Sequence, residues 1–243
     1  MRCAPTVAHV VAHLPERAMR LHVVAQRLAA APALALAALT EILAGAAAKD
    51  LDCLSVYASL IDARPLCDYP GRAHLRELAS LAETQGARLA EVYLRAALVE
   101  RSAEQHGGAG AVHRDLRDMP LGVRRALARR ARGETLNKLL GDPDPVVITN
   151  LLGNPRTTES SVLAICARRP TVSGPLEAVL ASVRFGARYR VRLTLCQNPY
   201  LHSGLAVALL FCLDRADLGQ VRGAATLPVE VRAAAGELLS AVP

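Results

Sequence analysis

The sequence predicts an all-α protein whose second half is an α-solenoid of short helices. Three observations carry that expectation. Alanine and leucine dominate and β-branched runs are scarce, which favours helix over strand. Residues 119–234 are cut into short apolar segments by Asp142-Pro143-Asp144-Pro145, Asn154-Pro155, Arg169-Pro170, Asn198-Pro199 and Leu227-Pro228. Proline removes a backbone donor, clashes with the preceding turn and pushes its predecessor out of the helical region, so each step ends a helix. Finally, residues 147–166 can be laid over residues 191–210 at an offset of 44. Val147 then meets Val191, Leu151 meets Leu195, Asn154-Pro155 meets Asn198-Pro199, and Ile165 meets Leu209. A period of this size marks helical repeats, which bury their apolar faces by stacking.

The run Asp142-Pro143-Asp144-Pro145-Val146-Val147, then Asn154-Pro155-Arg156-Thr157-Thr158-Glu159, then Arg168-Arg169-Pro170, resembles the variant leucine-rich and HEAT-like helical repeats of bacterial proteins. The resemblance covers residues 119–234, about half of the chain. It implies a right-handed superhelix and a binding or scaffold role, and it carries over no catalytic residue. Some variant leucine-rich proteins hold an iron–sulfur cluster on an amino-terminal cysteine group, and this chain lacks clustered cysteines.

The elements follow in order. The first helical segment begins near His9, and residues 16–30 follow with Leu21, Val24 and Leu28 on one stripe. Pro32 opens what reads as the second helix, and Asp50 caps the third. Residues 64–71 read as a turn-rich connection before helices over 73–83 and 87–101. Gly107, Gly108 and Gly110 mark residues 105–115 as a linker. The expected organisation is therefore an amino-terminal helical region (1–104), the linker, and a helical-repeat region (116–243). In the last of these, Asp144 and Thr158 read as helix caps, Ser173 or Gly174 ahead of Pro175 as a helix start, and Ser203 as another start.

Charge is unevenly placed. The net charge of +7 falls entirely on residues 114–243, and all but two of the basic residues are arginine. Arginine makes bidentate contacts with carboxylate and phosphate. In the expected helix over 121–132, Arg125, Arg129 and Arg132 share one stripe, with Val123, Leu127 and Ala131 opposite and Arg124 adding charge. A second basic group, Arg184, Arg188, Arg190 and Arg192, surrounds Tyr189. The expected partner-binding residues are Arg124, Arg125, Arg129, Arg132, Arg184, Arg188 and Arg192. The plain alternative is salt bridging between adjacent repeats, with partners such as Glu134 or Asp142.

Chemistry-bearing motifs are scarce. His9 and His13 stand at i and i+4, but no third ligand lies nearby in sequence except Cys3, so the pair reads as fortuitous. Cys53 and Cys67 read as thiols without further ligands, and the six cysteines show no Cys-x-x-Cys spacing, which fits a reducing cytoplasm. The glycines at 107–110 lack a phosphate-loop lysine, and Ser203 lacks a nucleophile elbow. The uncharged stretch 29–40 would imitate a targeting signal if translation began at Met19, yet it is too short to span a bilayer. No cofactor, metal or catalytic residue is expected. The sequence reads as a non-enzymatic scaffold that binds an acidic protein partner. The alternative is a nucleic-acid-binding repeat protein, such as a base-excision enzyme, against which the lack of tryptophan counts.

Overall fold

The computed structural model describes residues 6–99 and 112–241. Among them every regular element is helical and none is a strand. No helix there is long and apolar enough to cross a membrane. By packing, the chain divides into one unit of Met1–Glu100 with Ser203–Pro243 and a second of Arg101–His202.

The first unit holds α1 (Val7–Ala12), α2 (Arg17–Leu28), α3 (Pro32–Ala47), α4 (Leu51–Leu60), the single turn α5 (Arg64–Leu66), α6 (Arg72–Thr84) and α7 (Arg88–Leu98). Of the residues that shape these helices, Asp50 and Pro32 are legible in the sequence and Thr6 is not. Thr6 accepts from the His9 amide at 3.2 Å, Asp50 accepts from the Cys53 amide at 2.9 Å, and Pro32 stands at the start of α3. Each cap satisfies an amide that has no partner inside its helix.

The same unit takes α14 (Ser203–Leu210), α15 (Arg215–Gly223) and α16 (Val229–Ala241). Thus the expected repeat region 116–243 is shared between the two units. The reason is the core of the first one. Every residue of α14 from Gly204 to Leu210 is buried, so this helix has no polar side to expose. The buried Tyr57 hydroxyl donates to the Ala208 carbonyl at 2.6 Å, and the Phe211 ring lies 5.3 Å from Tyr57 and 6.4 Å from Tyr93. Three aromatics thereby form the anchor that an alanine–leucine core otherwise lacks. Lys49 donates to the Leu213 carbonyl at 2.6 Å, and Arg95 reaches Glu237 at 3.0 Å. The expected linker 105–115 lies largely outside the described residues.

None of the five described cysteines is in a disulfide. Cys53 directs its thiol at the Glu41 carbonyl and Cys67 at the Ala97 carbonyl, so the two do not pair. Burial pushes the Cys53 and Cys166 thiols up to about 12, which leaves them inert small hydrophobes.

The second unit holds α8 (Leu121–Ala128), α9 (Gly133–Leu139), α10 (Pro145–Leu152), α11 (Glu159–Ala167), α12 (Ser173–Ala181) and α13 (Tyr189–Cys196). Alternate helices pack side by side: α8 on α10, α10 on α12, and α11 on α13. The proline steps act as expected. Asp144 accepts from the Val147 amide at 2.9 Å with Pro145 at the first helical position, and Thr158 accepts from the Ser161 amide. At α12, Val172 takes the cap position and Ser173 is already helical.

The two Asn-Pro steps have one geometry. Asn154 follows α10, is fully buried, and donates to the Ala128 and Ala131 carbonyls at 3.1 and 3.0 Å, while its oxygen accepts from the Arg156 amide. Asn198 follows α13 and donates to the Cys166 and Arg168 carbonyls at 2.7 and 3.1 Å, while its oxygen accepts from the Tyr200 amide. Each asparagine thus closes the carboxy-terminal end of the helix beside its own. Those carbonyls have no partner within their helix.

Candidate anion-binding edge

The helix expected over 121–132 is shorter and turned over. It ends at Ala128, and Arg132 begins α9 as its cap residue, so Arg125, Arg129 and Arg132 do not share a helical stripe. At its end the Ala128 carbonyl accepts from Asn154 Nδ2 at 3.1 Å. The buried face consists of Arg124 and Ala128, whereas Val123 is half exposed. Arg124 can face inward because Asp142, with no exposed side-chain area, meets its Nε at 2.8 Å, and the Met119 carbonyl takes its Nη1 at 2.9 Å. A buried guanidinium is tolerated only with such partners.

Arg125 also has a partner inside the chain. Its Nε and Nη2 meet both Asp144 oxygens at 3.0 and 2.8 Å, a bidentate pair. Arg124 and Arg125 therefore belong to the packing between α8 and the start of α10. Arg124 is nearly buried in its pair and Arg125 is 40% exposed in its own, and the other five expected residues are placed differently.

Asn154 ties together three loops, the first and third of which carry four of those five, while Arg192 lies in α13. Its side chain holds the loop after α8 through Ala128 and Ala131, and its own carbonyl accepts from Arg184 Nη1 at 3.1 Å, in the loop after α12. One edge of the unit consequently gathers Arg129, Arg130 and Arg132 from the first loop, Arg156 from the second, and Arg184 and Arg188 from the third. All six are exposed. The third loop is built on the buried Phe185, whose ring centroid lies 4.7 Å from the Arg184 guanidinium and 5.3 Å from that of Arg188. Only glycine fits at 186, where a Cβ would stand 2.1 Å from the Leu180 carbonyl oxygen. Arg192 turns its Nε to the Gly186 carbonyl at 3.0 Å and braces this loop.

Carboxylates leave the edge largely uncompensated. Residues 112–202 contain fifteen basic and seven acidic residues. Asp142 and Asp144 are occupied by Arg124 and Arg125, Asp115 and Glu134 by Lys138, and Glu159 by Arg188. Among the described residues, Arg129, Arg130, Arg132, Arg156 and Arg184 have no ion-pair partner. Arg129 contacts the Asn150 amide oxygen and Arg184 a carbonyl; both contacts orient the guanidinium without cancelling its charge. The sequence reading missed Arg156, Phe185 and Gly186 as parts of the edge. Only the adjacency of Arg156 to the Asn-Pro step signalled the first.

No known protein family matches the chain, and neither a curated protein nor a solved structure matches it.

The pairs beside the edge set an acid limit. The Arg125 guanidinium holds the Asp144 carboxyl below its ordinary 3.8, and the Lys138 ammonium does the same for Asp115. A carboxyl depressed in the folded state contributes stability that is fully present above its unfolded value and is lost as pH falls through the folded one. Urea melts of the protein should therefore be flat above about pH 5 and weaken below about pH 4. Asp144→Asn should reduce that acid-induced loss. Equal acid sensitivity in the variant and the parent would show that this pair does not contribute.

Proposed function

We propose that residues 112–202 form a short α-solenoid of helical repeats that acts as a non-enzymatic interaction module and holds an acidic protein segment along its arginine edge. The side-by-side packing of alternate helices and the matching Asn154 and Asn198 closures support the repeat reading. The observation that carries the binding reading is the convergence on Asn154 of three loops bearing six arginines, of which Glu159 neutralises one. Guanidinium groups held apart on rigid loops suit successive carboxylates of an extended chain, each met by charge-assisted hydrogen bonds. Their summed field also speeds encounter with an acidic partner.

The test is fluorescence anisotropy with a labelled polyglutamate peptide and, in parallel, a labelled thymine oligonucleotide. The peptide should bind, and Arg129→Ser, Arg132→Ser and Arg156→Ser together should weaken it at least about tenfold, a few tenths to one kcal/mol per exposed contact. Thermal stability should hardly change, because none of the three residues is paired with a carboxylate. Tighter binding of the oligonucleotide, with a steep salt dependence, would favour the nucleic-acid alternative. Failure of the peptide to bind, or binding indifferent to the triple change, would sink the proposal.

A further inference from the structure

The first unit brings a third ligand to the histidine pair that the sequence left incomplete. His9 lies in α1 and His13 is its cap residue, so the two rings stand one turn apart with centroids 4.6 Å from each other. Asp52, in the first turn of α4, meets His9 Nδ1 at 2.8 Å through Oδ2. One ligand atom from each of the three lies within 4.8 Å of the other two. Cys3, the nearby ligand in sequence, falls outside the described residues.

We propose that His9, His13 and Asp52 form a binding site for a divalent transition-metal ion of the zinc class, with water completing the coordination. The chemistry of the set fits. Two borderline imidazoles and a carboxylate are a donor set that zinc takes, and three protein ligands with an open position make a site accessible to water. His13 is oriented for the role. Its Nδ1 lies 2.7 Å from the His9 carbonyl oxygen, which can only accept, so the proton sits on Nδ1. The neutral ring then presents the Nε2 lone pair, fixed by the kind of outer hydrogen bond that positions metal-binding histidines. His9 Nδ1 and Asp52 Oδ2 already face each other at 2.8 Å, the place an ion between them would take.

The geometry needs little adjustment. Ligands about 2.1 Å from a tetrahedral ion stand about 3.4 Å apart. The 2.8 Å His9–Asp52 contact must therefore open slightly, and the widest separation, within 4.8 Å, must close. His9 is exposed and Asp52 partly so, and rotation of these two side chains accomplishes this without disturbing the core or the His13 hydrogen bond. The surroundings are acidic as well. The His9 main chain is capped from Thr6, the Ala8 amide donates to Glu41 at 3.3 Å, and Asp50 caps α4 two residues before Asp52. An ion at this place joins α1, a helix of six residues too short to be stable alone, to α4.

The test is titration of the metal-stripped full chain with Co²⁺, followed by competition with Zn²⁺, read by visible absorption. One equivalent should bind, with a band of nitrogen–oxygen ligation and no near-ultraviolet thiolate charge-transfer band. Zn²⁺ should raise the thermal midpoint, as any ligand selective for the folded state does. The double change His9→Gln, His13→Gln should lower affinity at least about thirtyfold, and Asp52→Asn, which keeps the shape of the side chain, at least about tenfold, with circular dichroism unchanged. Absence of stoichiometric binding, a thiolate band, or full affinity in the double variant would each overturn the site.

Discussion

Replacing Asn154 by alanine should destabilise the second unit by about 3 kcal/mol, and replacing it by aspartate should cost more. Asn154 is fully buried and satisfies three main-chain groups: two carbonyls through Nδ2 and one amide through Oδ1. Alanine leaves all three in a site closed to water, and each unsatisfied buried group costs about 1–3 kcal/mol, partly recovered by relaxation. Aspartate keeps the acceptor for the Arg156 amide but sets a carboxylate oxygen against the Ala128 and Ala131 carbonyls. That repulsion exceeds a simple loss and forces the group either to protonate or to move. Asn198→Ala should cost a similar amount, because Asn198 makes the same three contacts with Cys166, Arg168 and Tyr200. Urea-induced unfolding followed by circular dichroism measures both changes. Penalties below about 0.5 kcal/mol would mean that water reaches these carbonyls and that the closures are incidental. Asn154→Ala should also weaken binding along the arginine edge, since it releases the loops that carry Arg129, Arg132 and Arg184.

The helices were legible in the sequence because their signals are local. Pro145, Asp144, Thr158, Asp50 and Pro32 each act on the residues beside them, and each marks a helix start in the structure. The Asn-Pro steps were legible as breaks but not as closures. The partners of Asn154 and Asn198 lie 23 to 32 residues away and are main-chain carbonyls, which any residue supplies. Helical periodicity misplaced Arg124 and Val123 for a related reason. A pattern that sorts residues by hydrophobicity puts arginine outside, and only a distant carboxylate, Asp142, makes the inside tolerable. Likewise the carboxy-terminal helices read as a continuation of the repeats. Nothing local in the apolar run of α14 announces that Ala208 will accept from Tyr57, 151 residues before it. Of the candidate binding residues, Arg129, Arg132, Arg184 and Arg188 do come together, but through loops and Asn154 rather than along a helix.

Asp142→Ala should be among the most damaging single changes, at about 3–5 kcal/mol, and Arg124→Met should approach it. Asp142 has no exposed side-chain area and Arg124 has 11%. Removing the carboxylate strands the guanidinium in a site where water cannot replace its partner. It also removes the acceptor for the Asp144 amide, which Asp142 Oδ1 holds at 3.0 Å, and so loosens the cap of α10. Removing the guanidinium leaves a buried carboxylate that must gain a proton or unfold its surroundings. The desolvation of both ions is what makes each single change expensive, so the double change Arg124→Met, Asp142→Ala should cost less than the more damaging single change, a non-additivity of several kcal/mol in a double-mutant cycle. Additive penalties would mean that the two groups do not interact across the interior. The cycle also separates fold from function. Arg124 lies within the packing and cannot meet a partner, so Arg124→Met, kept well below its melting temperature, should bind the polyglutamate peptide as the parent does. Arg132→Ser should do the reverse, leaving stability untouched while weakening the peptide. If Arg124→Met abolished binding while still folded, the charge that recruits the partner would lie in the α8–α10 interface and not along the edge.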